Sequence, residues 1–333
     1  MIDDVWQELT AYESRDVVES VYQRKHGRQP NAARIQDITA NFVQAREYFH
    51  NAANSAITVR PLLQYYGVLG LARGVILMQS SNKGAEALKP SHGLEPKGWA
   101  STLSNGIKDF GKITVAIRSG TFSELLNATQ NTSYLKHNTS GVNWKMAFVP
   151  PTNGDEFTFF DIVSRIVDAV AEFRSWANET PPIAQLGAIS PNAESKTITM
   201  KLTNTNQESV DQLFKGDKFK KTINGKNADI EMPNRTHVAF SQKYRGTLGI
   251  GEVFVVTPTF GSAHLNTLGQ YFAASYFLGM MVRYFPATWI TLGRQIRGDG
   301  VFPLIRRLMD LIQQSYPLIV LDFLSSPHPF ETK

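Results

Sequence analysis

The sequence predicts an α+β fold, mostly α-helical, with a small antiparallel β subdomain inserted near residues 195–260. Three observations lead there. Apolar residues recur at helical spacing through the first 80 residues, as in Ile35, Ile38, Phe42, Ala45 and Phe49. The period changes to two in TITMKLT (Thr197 to Thr203), and an Asn224-Gly225 hairpin signal follows. Beyond Ser262 the helical pattern returns and runs to the end. The chain thus divides into a helical N-terminal region over 1–190 with a loop-rich segment 80–157, a β subdomain over 191–260, and a helical region over 261–333 that packs on the first.

The elements follow in order. Val5, Leu9, Val17, Val18 and Val21 mark a helical start, and HGRQPN (His26 to Asn31) breaks it. The next helix reaches about Ala56. Thr58 then stands where a cap is needed and Pro61 where a first turn tolerates a missing N–H. That helix is VRPLLQYYGVLGLARGVILMQ (Val59 to Gln79), and its Gly67, Gly70 and Gly74 fall at i, i+3 and i+7. Each interior glycine costs roughly 0.5–1 kcal/mol relative to alanine. Three on one stripe therefore predict a close neighbouring backbone, most simply another helix. Segment 80–157 predicts loops, a strand pair around KITVAI (Lys112 to Ile117) and a helix near Phe122–Ala128. Phe159, Val163, Ile166, Val170 and Phe173 predict one helix ended by Pro181-Pro182. HVAFSQ (His237 to Gln242) and EVFVVTP (Glu252 to Pro258) complete the strands. No charged residue separates His264 from Arg283, yet Asn266, Thr267, Gln270 and Ser275 interrupt that run, so a buried core helix is expected rather than a membrane span. Pro286 ends it and Pro303 opens the last helix, with Leu304, Leu308, Leu311, Ile312 and Ser315 facing in and Arg306 and Arg307 facing away. PLIVLDFL (Pro317 to Leu324) closes the fold.

Composition narrows the function. Of 333 residues 42% are hydrophobic and 19% charged, which fits a globular and not a disordered chain. There is no cysteine, which rules out disulfides, thiolate zinc sites and cysteine nucleophiles. The start, MIDDVWQELTAYESRD, carries acids where a signal peptide carries basic residues, and no apolar run follows, so a cytoplasmic protein is expected and N-x-[ST] matches such as Asn131-Thr132-Ser133 are chance. Net charge is +5 with Lys and Arg mostly interleaved with acids, which predicts a mixed solvated surface.

The RPLLQYYG block followed by HGL (His92 to Leu94), then LGMMVRYFPATWITL (Leu278 to Leu292), PLIRRL and SYPLIVLDFL, resembles the YaaC-like family of bacterial proteins over nearly the whole chain. The resemblance implies a bacterial cytoplasmic protein. It carries no catalytic residues onto these positions.

Candidate site residues come from the residues themselves. Arg73 shares a helix face with Tyr66, Leu69, Gly70 and Leu77 and must be paired if buried. A structural ion pair with Glu47 or Asp168 is the expected partner, and an anion-binding group in a pocket the functional one. His92, in a glycine-flanked loop, suits general acid–base work. Arg46 and His50 lie at i, i+4, near the Arg–His pairing of a helical ribonuclease but with shorter spacing than that motif uses. Arg60, Gln64 and Tyr65 are polar groups in an apolar helix, and Arg283, Arg294 and Arg297 stand near the aromatics Tyr284, Phe285 and Trp289, a pattern that can hold a nucleic-acid strand. A second basic patch, KGDKFKK (Lys215 to Lys221), reads as a strand edge guarded by lysines. GTLGIG (Gly246 to Gly251) lacks the GK[ST] of a phosphate loop and reads as a turn. The histidines show no metal spacing and no nucleotide loop is present, so neither a metal nor a cofactor is expected. The leading expectation is a non-enzymatic binding or interaction protein, working as a self-oligomer or with a protein partner in a larger complex. The alternatives are a metal-independent RNA- or nucleotide-cleaving enzyme using His92 or His50 with Arg46 or Arg73, and a nucleic-acid binder without chemistry. No membrane role is expected.

Overall fold

The computed structural model describes residues 2–81, 88, 90–104, 106–136, 143–234, 236, 238–243, 252–294 and 299–325. It is an α+β fold, mostly helical, with its strands in antiparallel sheets.

The N-terminal helices are α1 (Ile2–Leu9), α2 (Arg15–His26), α3 (Ala32–Ala53) and α4 (Arg60–Gln79). Gly27 closes α2 at φ +66, and the Asn31 side chain caps α3 by accepting from the Arg34 N–H at 2.8 Å. Thr58 does not cap α4. Val59 takes that position without a side-chain bond, and the Arg60 N–H is met by the Ala56 carbonyl at 2.9 Å. Helix α4 is apolar almost all round and long enough to cross a membrane, but 78% of that window lies inside the fold, so it is the central core helix. Its C-terminal carbonyls are met by side chains of α2 and α3. The buried Arg34 donates through Nη1 to the Tyr22 hydroxyl at 2.5 Å and to the Ser80 carbonyl, and the His26 ring bonds the Met78 carbonyl at 2.8 Å.

The glycine stripe meets α3. A Cβ on Gly67, Gly70 or Gly74 would stand 2.6 Å from Phe49, 3.1 Å from Ala45 and the Asn41 carbonyl, and 2.7 Å from Phe42. On another side α4 packs against α10 (Thr267–Tyr284), where a Cβ on Gly279 would stand 2.7 Å from Tyr65. Helices α11 (Pro286–Gly293) and α12 (Phe302–Ser325) complete this body. α12 continues through Pro317, where the buried stripe that Tyr316, Ile319 and Val320 extend offsets the lost hydrogen bond and the clash of the ring with the preceding turn. Arg306 is exposed as expected. Arg307 is not: Nε and Nη2 donate to the Asp168 carbonyl at 3.0 and 2.9 Å.

Segment 88–177 holds more regular structure than its composition predicts. β1 (Leu94–Lys97), β2 (Thr114–Ile117) and β5 (Glu156–Thr158) form one antiparallel sheet, and β3 (Thr132–Lys136) pairs with β4 (Asn143–Ala147). α5 (Trp99–Leu103) and α6 (Thr121–Ala128) lie between. The expected helix over 159–173 is two: α7 (Phe159–Val163), capped by the Thr158–Asp161 box, and α8 (Val170–Ala177). The break has a packing cause. Ile166 belongs to the helical core and its neighbour Val167 to the sheet core, and extended backbone at Ile166 sends them opposite ways.

The six-stranded sheet has the order β10-β11-β6-β7-β9-β8. Its strands are β6 (Ile183–Asn192), β7 (Thr197–Thr203), β8 (Lys220–Asn224), β9 (Asn227–Pro233), β10 (Ala239–Gln242) and β11 (Val253–Val256). α9 (Gln207–Leu213) covers one face, with Val210 in a second core beside Met200, Leu202 and Ile230. The sheet begins before residue 195. The β8–β9 hairpin turns at Gly225, φ +61, with Asn224 opposite Asn227. β8 is an edge strand, and Lys220 and Lys221 pair with Glu231 at 3.5 Å and Asp211 at 2.8 Å, as a guarded edge requires.

Candidate functional site

Four of the residues singled out in the sequence come together where α4 and α10 meet the loop before β1. The loop itself is clamped onto the start of α6: the N–H groups of Thr121 and Phe122 donate to the Ser91 and His92 carbonyls, each at 2.9 Å. Gly93 takes φ +80 there, and a Cβ on it would stand 2.7 Å from the Phe122 nitrogen, so only glycine fits. This clamp fixes His92. Its Nδ1 lies 2.6 Å from the Tyr65 hydroxyl, with the roles of donor and acceptor set by the tautomer, and its Nε2 has no partner among the described residues. Tyr65 is fully buried and packs edge-on against Phe272 and Tyr276. The Tyr276 hydroxyl donates to the Leu94 carbonyl at 2.9 Å, tying the loop to α10.

Two guanidiniums act on this pair. Arg283 and Arg73 both push the His92 pKa down, after burial, which contributes most. Arg283 is exposed and donates through Nη1 to the Tyr66 hydroxyl at 3.1 Å. Arg73 is half-buried, and its Nε is shut off from solvent with no hydrogen-bond partner. The expected ion pair is not made: Glu47 pairs with Arg46 at 2.9 Å instead, and Arg73 has no carboxylate partner among the described residues. Glu95, which also acts on Tyr276, is held by Lys97 at 3.2 Å and Arg118 at 2.8 Å. Burial drives the Tyr65 pKa far up, so its hydroxyl stays protonated. The site therefore joins two cations with no paired carboxylate among the described residues to a neutral imidazole and the protonated Tyr65 and Tyr276. Oxyanion recognition uses such groups.

The loop histidine is thus not freely accessible, and its titration carries a stability effect. A histidine whose folded pKa lies below its unfolded value, near 6.5, stabilises fully above that value and loses the contribution as pH falls through the folded pKa. Urea midpoints should accordingly drop between pH 7.5 and 5, and His92→Gln should flatten part of that slope. Equal slopes in both proteins would show that His92 charges without cost.

The other candidates lie elsewhere. Arg46 is held by Glu13 at 2.8 and 3.3 Å, and His50 is exposed beside it, so the pair forms no pocket with His92. Gln64 donates to the Met309 carbonyl at 2.8 Å and Arg60 reaches Asp310 at 3.5 Å, both tying α4 to α12. Trp289 is no stacking platform: it is 1% exposed and its indole N–H donates to the Ile57 carbonyl at 3.1 Å. Arg294 is exposed at the end of α11. Arg297 and the 246–251 turn lie outside the described residues. Tyr66 was noted in the sequence only as a neighbour on the Arg73 face, and Tyr276 was not singled out. Each tyrosine stands seven residues before an arginine of its own helix, Tyr66 before Arg73 and Tyr276 before Arg283, which puts each pair on one face and was the signal available. Among the described residues no three His, Asp or Glu side chains stand together as a metal site needs.

A family model described as YaaC-like Protein matches residues 9–324. No curated protein and no solved structure matches the chain. The chain belongs to the YaaC-like family.

Proposed function

We propose that this member of the YaaC-like family is a cytoplasmic binding protein that captures an anionic ligand at His92, on which the charges of Arg73 and Arg283 both act. One observation carries the reading: two cations act on one neutral His92–Tyr65 pair with no carboxylate paired to either among the described residues. Like charges near a low-dielectric wall repel, and an anion between them removes that cost. The Tyr66 hydroxyl and the His92 Nε2, which has no partner among the described residues, add further groups for its oxygens.

Inorganic phosphate and pyrophosphate are the probes. At low ionic strength either should raise the melting temperature in a saturable way, since a ligand that binds only the folded state stabilises it by about 2.7 kcal/mol at 100 times its Kd. Arg283→Gln, at an exposed position, should leave the unliganded melting temperature alone and remove most of the rise. A rise of the same size in that variant, or none in the natural chain, rejects the reading. A second reading, phosphoester cleavage with His92 as base, draws on the lowered His92 pKa. It requires turnover that His92→Ala abolishes.

A further inference from the structure

The two cores meet around a cavity of about 600 Å³, walled by α7, α8 and the end of α9, and by the chain that leaves β11. Its size suits a small organic ligand, for which pockets of roughly 300–1,000 Å³ are usual. Arg165 lies in its wall. Nε donates to the Pro258 carbonyl at 2.9 Å, and Nη1 to the Asp161 carbonyl at 3.0 Å and the Ser164 hydroxyl at 2.7 Å. All three acceptors are neutral. The Asp161 carboxylate, also on the wall, is turned to the Thr158 N–H and hydroxyl at 2.8 and 2.7 Å, where it closes the α7 cap. Burial pulls the Arg165 pKa down to about 10, and the nearby Asp161 charge offsets that only in part. Lys215 and Lys218 stand exposed at the mouth, Lys218 over the Phe219 ring at 5.0 Å, and the exposed Glu179 is the one further acid on the lining. The Thr257 hydroxyl is buried in the wall with no hydrogen-bond partner.

We propose that this cavity binds a phosphate monoester carrying a flat ring. The phosphate lies toward Arg165, Lys215 and Lys218, with Thr257 supplying a further donor, and the ring lies on the apolar wall of Phe160 and Phe219. A bare phosphate fills too little of the space, and an uncharged ring leaves Arg165, Lys215 and Lys218 with only Asp161 and Glu179 as acids on the lining. The site is separate from the one around His92 and does not depend on it.

Calorimetric titration of the full chain with adenosine monophosphate, adenosine and inorganic phosphate tests it. Adenosine monophosphate should bind, with adenosine and phosphate each weaker by tenfold or more. Because Arg165 also ties α7 to the sheet, its substitution confounds binding with folding. The paired change Lys215→Gln and Lys218→Gln avoids this, since both side chains are exposed. It should weaken the nucleotide about tenfold, the equivalent of one charge-assisted bond, and leave the unliganded melting temperature unchanged. The proposal is overturned if adenosine monophosphate does not bind, if adenosine binds as tightly, or if the lysine variant binds normally. Binding that survives the lysine changes and is lost in Arg283→Gln would assign the nucleotide to the α4–α10 site and leave this cavity without a ligand.

Discussion

Gly67→Val is expected to destabilise the protein by about 3 kcal/mol, the upper end of what overpacking a well-filled core costs. The first added carbon would already stand 2.6 and 2.8 Å from two atoms of the Phe49 ring and 3.4 Å from the Ala45 carbonyl. Phe49 has no room to yield. It is fully buried, its ring lies 5.3 Å from that of Trp6, and its carbonyl accepts from Gln313 at 3.0 Å. Gly67→Ala sets two terms against each other. Helix propensity favours alanine by about 1 kcal/mol, and the contact opposes it by about 2 kcal/mol, for a net loss near 1 kcal/mol. Gly293 in α11 is the control, because among the described residues its added Cβ would meet only Ile57, at an ordinary 3.9 Å. Gly293→Ala should therefore stabilise by about 0.5–1 kcal/mol. Denaturant unfolding of the three variants decides it. If both alanine variants gain stability alike, the α3–α4 contact is looser than the stripe implies.

That stripe is also where the sequence was most readable. Spacing alone predicted a close helix along Gly67, Gly70 and Gly74, and α3 lies there. Strand β7 was readable for the same reason: Met200 and Leu202 alternate with exposed or half-exposed neighbours. Strand β6 was not. Its register shifts between Leu186 and Ala188, at Gly187, so the period of two is broken in the middle, and Pro191 further disguises it. Helix α9 hid behind a polar sequence whose one clear signal is Asn206, the side chain that accepts from the Ser209 N–H. The site was half legible. Arg73 and His92 drew notice because a charge in an apolar helix and a histidine beside a turn glycine are both anomalies. Their meeting was not predictable, since it depends on the clamp between Gly93 and α6 and on the partnering of Tyr65 across 27 residues. The choice of Trp289 failed for a general reason. Aromatics near arginines look alike in sequence whether they are stacked on a ligand or buried, and the Ile57 carbonyl decided this one.

Arg73→Met is expected to raise the stability of the unliganded protein by about 1 kcal/mol and to weaken anion binding about 100-fold. The sign of the first effect separates a functional cation from a structural one. Removing one partner of a buried structural ion pair costs about 3–5 kcal/mol, because the other charge is stranded. Here no paired carboxylate is left behind among the described residues, and the change removes a buried, unpartnered Nε–H, a group that costs about 1–3 kcal/mol to leave unsatisfied. It also removes one of the two cations that act on His92. Methionine keeps much of the aliphatic packing, so the cavity term is small. The second effect follows from losing two charge-assisted bonds to a bound oxyanion, about 2.7 kcal/mol by the affinity conversion. A third readout ties the two together. With Arg73 gone, the His92 pKa should rise toward its ordinary value, and imidazole proton shifts followed over pH 4–8 would report it. A protein that gains stability, loses anion affinity and shows a more basic His92 has traded fold stability for a charged site. A loss of 3 kcal/mol or more with unchanged anion binding would instead make Arg73 a structural cation and remove the α4–α10 junction as a ligand site.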